Sequence, residues 1–340
     1  MKTLITFALL IISTNILSQK SIISSNKKKQ IENYINHFET NDQMMGNISI
    51  YKNGKEIINK TFGSKNNDEI TLYSVGSITK LFTAVIFTKL SEVDKVDLNE
   101  KLSVYFPKIS NSNKITIQHM LSHTSGLKDY TVKNDSLYFW LKNPVKQEDI
   151  ISEIIRQDVA FQPGDSLQYS NSAYYLLARI LEQKLEKTYS QILTDEITIP
   201  LNLKSTFGIN KNSEQINRTK SYERKNGQWN EAEEFYFPNT SGAGDIISNA
   251  QDLNTFIMAL FANKIIKPET LEKMLPLDKK WFGMGIMKIP FYDYIAFGHG
   301  GDTYGTHSVM SYNPDNKLAI SYIINGENYS TNDFAIGLLS

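Results

Sequence analysis

The stretch Ser77-Ile-Thr-Lys80-Leu-Phe-Thr-Ala-Val-Ile-Phe-Thr-Lys-Leu90 places a serine and a lysine at the start of an apolar helical segment. Side chains three positions apart lie on the same face of a helix, so the amine can take the hydroxyl proton. In the first turn, Ser77 would also lie at the positive end of the helix dipole, which stabilises a developing oxyanion. A capping serine beside a solvated lysine is the ordinary alternative, so other motifs must decide.

A second polar group, Tyr169-Ser170-Asn171, precedes a helical pattern that starts at Ala173. A phenol titrates at about pH 10, but a neighbouring ammonium can lower its pKa enough for the phenol to act as a base. Asn171 would offer its amide to a substrate and to Lys80. A packed tyrosine and a helix-capping asparagine are the ordinary alternatives.

A third group, Gly298-His299-Gly300-Gly301-Asp302, lies between an expected strand ending at Phe297 and another around Ser308. Its glycines would let a substrate lie against the strand edge, and His299 could donate a hydrogen bond toward the tyrosine or the substrate. The alternative is a glycine-rich turn without a binding role.

In this order and spacing, the three motifs resemble the serine β-lactamase and penicillin-binding protein superfamily, specifically its class C β-lactamase and DD-peptidase branch. The resemblance runs from about Met45 to Ile324 and includes stretches outside the three motifs. These stretches are Val96–Pro107, Ile115–Leu127 and Ser241–Ser248. The resemblance implies a β-lactamase/transpeptidase-like fold and a reaction through an acyl-enzyme.

The resemblance also implies a role for each site residue. Ser77 would be the acylated nucleophile and Lys80 its activator, while Tyr169 would be the general base and the acid for the leaving group. Asn171 would bind substrate, as would the His299, Gly300 and Gly301 segment. The backbone N–H groups of Ser77 and Asp302 would form the oxyanion hole.

One position departs from the pattern of the branch. Class C β-lactamases carry Lys-Thr-Gly and many DD-peptidases carry His-Thr-Gly, whereas this chain has His299-Gly300-Gly301. Gly300 lacks the hydroxyl that helps to hold a substrate carboxylate. The resemblance therefore implies acyl transfer more firmly than action on penicillins, unless Thr303 or Thr306 supplies the lost contact.

Hydrophobic patterns predict an opening helix, strands near both chain ends and helices between them. Asn53-Gly54 and Asn226-Gly227 predict hairpin turns, because both residue types accept a positive φ. A long helical segment is expected from Ala173 to Leu193. The strands expected late in the chain are Phe282–Met287, Tyr294–Phe297, His307–Tyr312 and Leu318–Ile324.

This order of elements predicts an α/β fold of the α+β type. One antiparallel sheet would be built from both chain ends and flanked by helices, with a mainly helical lobe inserted. We expect a single catalytic domain over residues 20–340. Its sheet lobe would take in residues 20–75 and 275–340, and its helical lobe residues 76–274.

The chain begins with Lys2 and an apolar run from Leu4 to Leu17, followed by Ser18-Gln19. This pattern predicts a cleaved signal peptide over residues 1–19 and a periplasmic or extracellular protein. An uncleaved anchor is the alternative, although the run is shorter than the roughly 20 apolar residues that a spanning helix needs. No later stretch is long and apolar enough to span a membrane.

Composition excludes several other classes. The 36 Lys and Arg residues balance 36 Asp and Glu residues, so no overall field favours nucleic acid. The absence of cysteine excludes thiol catalysis and thiolate metal sites. His119 and His123 have the spacing of zinc ligands, but Met120 stands where a zinc protease has its glutamate. We expect packing or capping roles for both histidines, and neither a metal nor a cofactor.

These observations and the resemblance together predict a secreted serine hydrolase that acts through an acyl-enzyme. The resemblance implies a D-alanyl-D-alanine carboxypeptidase or a related peptidase. The substrate would be a small acyl compound or a peptide of the cell-wall type. Esterase, amidase or weak β-lactamase action on another small acyl substrate is the alternative. A third hypothesis is an inactive protein that binds penicillin or wall peptide without turnover.

Overall fold

The computed structural model describes residues 24–63, 72–132, 142–210, 216–277, 280–291 and 294–339. The predicted signal peptide, residues 1–19, lies outside the described residues. Within these ranges, no helix combines the length and the apolar character needed to cross a bilayer.

Strands from the two ends of the chain form the main sheet. The strands of both sheets in the described residues are β1 (Met44–Lys52), β2 (Lys55–Phe62), β3 (Tyr73–Ser74), β4 (Phe207–Gly208), β5 (Tyr222–Lys225), β6 (Gln228–Glu231), β7 (Ile246–Ser248), β8 (Met287–Phe291), β9 (Tyr294–Thr303), β10 (Thr306–Asn313) and β11 (Leu318–Glu327). The main sheet has the order β2-β1-β11-β10-β9-β8, and every neighbour along it is antiparallel. The pairing of β1 with β11 confirms the predicted antiparallel sheet built from both ends.

Helices lie on both faces of this sheet. They are α1 (Ser25–Thr40), α2 (Thr79–Ser91), α3 (Ile117–Leu121), α4 (Gln147–Gln157), α5 (Asn171–Leu185), α6 (Tyr189–Leu193), α7 (Ile199–Leu201), α8 (Ala250–Phe261), α9 (Pro268–Met274) and α10 (Thr331–Leu339). On one face, α1 and α10 contribute Ile35, Phe38 and Phe334 to a buried cluster with β1, β2 and β11. The larger core, on the other face, surrounds α2.

Helix α2 is buried on nearly all sides, with only Lys89 and Ser91 partly exposed. Phe82 of α2 stacks on Phe256 of α8, with ring centroids 3.8 Å apart. A helix that is apolar all round belongs in the centre of a large core, so the position of α2 follows from its composition. The first turn of this helix is consequently held away from water.

Both predicted Asn-Gly hairpins are confirmed. Asn53 and Gly54 turn the chain between β1 and β2 with φ of 51° and 74°, and Asn226 and Gly227 do so between β5 and β6 with 52° and 77°. The second hairpin lies in the segment expected to be helical, yet β5 pairs in parallel with β11 and extends the main sheet. A small sheet of order β3-β7-β4 also lies in this segment.

Two other predicted elements differ in the structure. The helix expected from Ala173 to Leu193 is interrupted at Glu186, which has a left-handed φ of 53°, so that α5 and α6 are separate. The strand expected from Phe282 begins only at Met287, because the preceding backbone bonds to helices instead: Met284 N–H donates to Met274 and Gly285 N–H to Leu121.

Candidate active site

Ser77 lies in a 3-10 turn, Gly76–Ile78, that leads directly into α2. Lys80 occupies the first turn of α2, and its Nζ donates to Ser77 Oγ at 2.9 Å. The same amine donates to the carbonyl of Ala243 at 2.7 Å. The structure thus brings the predicted serine and lysine into direct contact, and the Ala243 carbonyl is a second hydrogen-bond partner of the amine.

The amine of Lys80 has no exposed surface. Burial lowers the pKa of Lys80 to about 7, although the carboxylates of Asp129 and Asp245 oppose the shift. Loss of water disfavours the charged form of a basic group, which explains the direction. A substantial fraction of Lys80 is therefore neutral near physiological pH and able to accept a proton from Ser77.

Tyr169 joins this pair from the segment before α5. The Lys80 Nζ lies 4.7 Å from the centroid of its ring. Desolvation raises the pKa of Tyr169 above its usual value, and a hydrogen bond with Ser77 only partly offsets the rise. The sequence-based expectation of a lowered phenol pKa is wrong, because burial also removes charge from the lysine that was expected to lower it. Tyr169 is therefore a neutral phenol that still carries its proton.

Asn171, the first residue of α5, is near the site. The sequence predicted that its amide would bind Lys80, but the amide has other partners. Its Nδ2 donates to Asp129 Oδ2 at 2.8 Å and to Thr131 Oγ1 at 3.4 Å. The side chain that caps α5 is Ser170, not Asn171, since Ser170 Oγ accepts the Ala173 N–H at 3.1 Å. Asp129 is a residue that the sequence motifs missed, and it fixes the orientation of the amide.

The glycine-rich segment is part of strand β9 and not a turn between strands. A Cβ on Gly301 would lie 2.0 Å from the Val75 carbonyl and 2.9 Å from the Ser77 N, so the two backbones are in contact. A Cβ on Gly300 would meet only the Ser308 carbonyl, at 3.7 Å. Glycine is therefore required at position 301 for β9 to approach the turn that carries Ser77, whereas position 300 has room for a side chain.

The ring of His299 points into the protein and is 2 % exposed. Its Nδ1 contacts the Gly300 carbonyl, while its Nε2 has no hydrogen-bond partner among the described residues. Burial and the nearby Lys80 lower the pKa of His299 to about 4, so the ring is neutral. Of the two partners expected for His299, Tyr169 is not one, because Nδ1 is on the Gly300 carbonyl and Nε2 has no partner among the described residues.

A cavity of about 280 Å³ opens over Ser77. The backbone of Asp302 lies beside Gly76, because a Cβ on that glycine would be 2.9 Å from the Asp302 N. Ser77 and Asp302 line this cavity together with Asn171, so the predicted oxyanion donors and the predicted substrate ligand share one space. Phe235 and Tyr304 contribute aromatic surface to its wall.

A charged cluster lies at the rim of the cavity, on the strand face that carries Gly300. His307 Nδ1 is 2.6 Å from Asp302 Oδ1, and its Nε2 is 3.1 Å from Glu327 Oε1. These two carboxylates raise the pKa of His307 to about 10. The cluster therefore sets two acidic side chains around a single histidine. The sequence motifs pointed only to the backbone of Asp302.

The two histidines with zinc-ligand spacing have separate contacts. His119 forms a capping box with Thr116 at the start of α3. His123 follows the end of α3, and its ring stacks on Tyr169. In the part of the chain that the structure describes, no group of three His, Cys, Asp or Glu residues is arranged to hold a metal ion.

Comparison with known proteins agrees with this geometry. A family model described as Beta-lactamase matches residues 34–337. The chain belongs to the β-lactamase family. It is a serine hydrolase of the β-lactamase and penicillin-binding protein superfamily, as the motifs indicated.

Relatives of this β-lactamase family member include the Bacillus subtilis (strain 168) protein named "Putative penicillin-binding protein PbpX". The two are 28% identical over 303 residues, which cover 86% of this chain and 71% of the relative. Protein flp of Staphylococcus aureus (strain MW2) is 28% identical over 196 residues, or 54% of this chain. The match takes in only 39% of the length of that protein.

Among solved structures, D-amino acid amidase from Ochrobactrum anthropi SV3 has a similar fold, with a TM-score of 0.79 and 22% identity. The match covers 92% of this chain and 98% of the amidase. The octameric penicillin-binding protein homologue from Pyrococcus abyssi gives a TM-score of 0.76 at 23% identity, over 92% and 76% of the two chains. These likenesses confirm the predicted α+β fold.

The two neighbouring glycines of β9 should respond differently to the same substitution. In Gly301→Ala, the added methyl would force β9 away from the Ser77 turn, and a displacement near 1 Å lowers kcat/KM by about 100-fold. Gly300→Ala, with open space at its Cβ, should stay within about threefold of the unmodified protein. Ester hydrolysis by the two purified variants, with melting temperatures as the folding control, checks this. Equal activity in both would contradict the contact.

Proposed function

We propose that the protein is an amidase or esterase that cleaves small acyl compounds with neutral or cationic leaving groups through an acyl-enzyme on Ser77. The observation that carries this proposal is the surface beside the cavity. Gly300 offers no hydroxyl to a substrate carboxylate, and the adjacent cluster sets the acidic side chains of Asp302 and Glu327 around the single His307. A substrate with a carboxylate there would lose a hydrogen bond and meet repulsion.

The proposed acylation uses the contacts around Ser77. The neutral amine of Lys80 takes the hydroxyl proton while Ser77 Oγ bonds to the substrate carbonyl carbon. The N–H groups of Ser77 and Asp302 stabilise the resulting oxyanion. The phenol of Tyr169 donates its proton to the leaving nitrogen or oxygen as the bond to carbon breaks, and the Lys80 ammonium then restores that proton.

Deacylation reverses these proton transfers. A water molecule adds to the acyl carbon and loses a proton to the neutral amine of Lys80. The bond from carbon to Ser77 Oγ breaks as Tyr169 donates a proton to Ser77 Oγ, and Lys80 returns the proton it took to the phenolate. The products are a free acid and the starting enzyme, so atoms and electrons balance without an oxidant or a reductant.

A D-alanyl-D-alanine carboxypeptidase acting on cell-wall peptide is the second candidate. The relative named as a penicillin-binding protein favours it. Thr303 also lines the cavity and has a hydroxyl that could bind a carboxylate. The hydroxyl of Thr306 is already hydrogen-bonded to the Ser221 hydroxyl. Structures named as D-amino acid amidase and D-stereospecific amidohydrolase share the fold, which makes D-aminoacyl amides a sensible class to test.

We also propose that the protein is exported, on the strength of the apolar run from Leu4 to Leu17. N-terminal sequencing of the protein recovered from the periplasm or the medium tests this. A mature protein that keeps residues 1–19 would contradict cleavage there.

A substrate panel tests the proposed function. A p-nitrophenyl ester and a D-amino acid amide should be hydrolysed, and a D-Ala-D-Ala peptide should have a kcat/KM at least about tenfold lower than the amide. Ser77→Ala should abolish every activity while leaving the melting temperature unchanged, because the substitution removes little buried surface. Activity that survives in Ser77→Ala would refute the nucleophile. Penicillin binding by unmodified protein that turns over no substrate would favour an inactive binder.

The acylation rate should depend on the ionisation of Lys80. Since the protonated amine cannot accept the Ser77 proton, kcat/KM should rise about tenfold per pH unit below about pH 7 and level off above it. Pre-steady-state ester hydrolysis at several pH values measures this profile. A flat profile between about pH 5.5 and 8 would contradict the role of Lys80.

Asp245 provides the control for this profile, because burial raises its pKa to about 7 as well. In Asp245→Asn the inflection should persist and move to lower pH, since the carboxylate that favours the Lys80 ammonium is lost. An inflection that disappears in this variant belongs to Asp245.

Position 300 should control discrimination against carboxylates. A threonine hydroxyl that reaches a carboxylate contributes roughly 1.5–3 kcal/mol, so Gly300→Thr should raise the peptide-to-ester ratio of kcat/KM by about tenfold to a hundredfold. Gly300→Val matches the shape of threonine without its hydroxyl and should leave the ratio unchanged. The same ratio in all three proteins would show that position 300 does not determine carboxylate recognition.

A further inference from the structure

We propose that His123 is a positioning residue that holds Tyr169 in place over Ser77 and Lys80. This inference rests on the proposed function, because it presupposes that Tyr169 transfers a proton. His123 is 1 % exposed and makes no contact with the cavity that would receive a substrate. Its effect on the reaction would therefore pass through Tyr169.

The backbone of His123 has a conformation that usually calls for another residue. It follows Ser122, the C-cap of α3, with a left-handed φ of 57°. Glycine is the residue that most often ends a helix in this conformation, because a Cβ is unfavourable there. Histidine tolerates this conformation better than most residues, and from it the side chain reaches the segment before α5.

His123 holds three consecutive residues of the catalytic segment. Its carbonyl accepts the Gln168 N–H at 2.9 Å, and its Nδ1 accepts the Ser170 N–H at 3.2 Å. Between these two bonds, its ring stacks on the Tyr169 ring at 4.5 Å between centroids and an angle of 26°. The contacts before, at and after Tyr169 fix both its backbone and its ring plane.

The imidazole is itself held by its surroundings. Tyr174 and Phe282 approach it with centroid distances of 5.1 and 5.6 Å. Because Nδ1 accepts a hydrogen bond, a neutral ring carries its proton on Nε2. Burial and the nearby Lys80 keep the pKa of His123 well below its usual value, so the ring adds no positive charge beside the catalytic amine.

Two substitutions separate the ring from the backbone. His123→Gly suits the left-handed φ but removes the ring and the Nδ1 acceptor, and it should lower kcat about 30-fold or more with KM within about threefold. His123→Asn tolerates the same φ and keeps an acceptor for Ser170, so it should recover part of the loss and remain about tenfold below the unmodified protein. His119→Ala, which weakens α3 without touching Tyr169, should leave kcat within about twofold.

Combination with Tyr169→Phe shows whether His123 acts through Tyr169. The double variant His123→Gly/Tyr169→Phe should have the kcat of Tyr169→Phe alone within about threefold, because a residue that positions a lost hydroxyl has nothing left to contribute. Fully additive losses would overturn the inference. So would an unchanged kcat in a folded His123→Gly protein or, where that variant does not fold, in His123→Asn.

The same set distinguishes this inference from the proposed function. If Tyr169→Phe keeps the kcat of the unmodified protein, Tyr169 is not the proton donor, and the proposed role of His123 is contradicted as well. If Tyr169→Phe is impaired while the folded His123 variants are not, only the positioning role is overturned. An increase in KM at constant kcat in the His123 variants would place His123 in substrate binding and would also overturn it.

Discussion

A lysine amine without exposed surface, held against Ser77, is the constraint on which the rest of the site depends. Lys80 can be buried because α2 is buried on nearly all sides between the main sheet and the surrounding helices. Desolvation lowers its pKa to about 7, and the carboxylates of Asp129 and Asp245 limit the fall. The Ala243 carbonyl gives the amine a second partner, so its orientation survives in either charge state. An exposed lysine at the same spacing would remain an ammonium and could not take a proton at neutral pH.

The second requirement is the close approach of β9 to the turn that carries Ser77. Gly301 allows this approach because any Cβ there would overlap the Val75 carbonyl. The neighbouring Gly300 is not needed for packing, and it opens space at the rim of the cavity instead. Beside that space, Asp302 and Glu327 place two carboxylates around His307. The two glycines of β9 thus have different roles. Position 301 lets the strand approach the nucleophile, and position 300 borders the surface that would meet a leaving group.

A layer of buried contacts behind the cavity orients the groups that line it. Asp129 binds both the backbone N–H and the side-chain amide of Asn171. His123 binds the backbone on both sides of Tyr169 and stacks on its ring. Both residues come from the segment after α3, which forms hydrogen bonds with the start of α5. Groups held by such contacts lose less freedom when a substrate binds, and this preorganisation is what electrostatic stabilisation of a transition state requires.

Local patterns in the sequence determined the sheet built from both ends, the Asn-Gly turns, and the meeting of Ser77 with Lys80, because each depends on neighbouring residues or on hydrophobic periodicity. The tertiary structure alone decided that Tyr169 has a raised pKa and Lys80 a lowered one, since desolvation depends on every segment packed around a group. It also decided that Asn171 turns to Asp129, that His123 supports Tyr169, and that the glycine-rich segment continues as β9. The contact of Asn171 with Asp129 joins residues 42 positions apart, and that of Ser170 with His123 joins residues 47 apart. No local pattern records which distant side chain will be the partner.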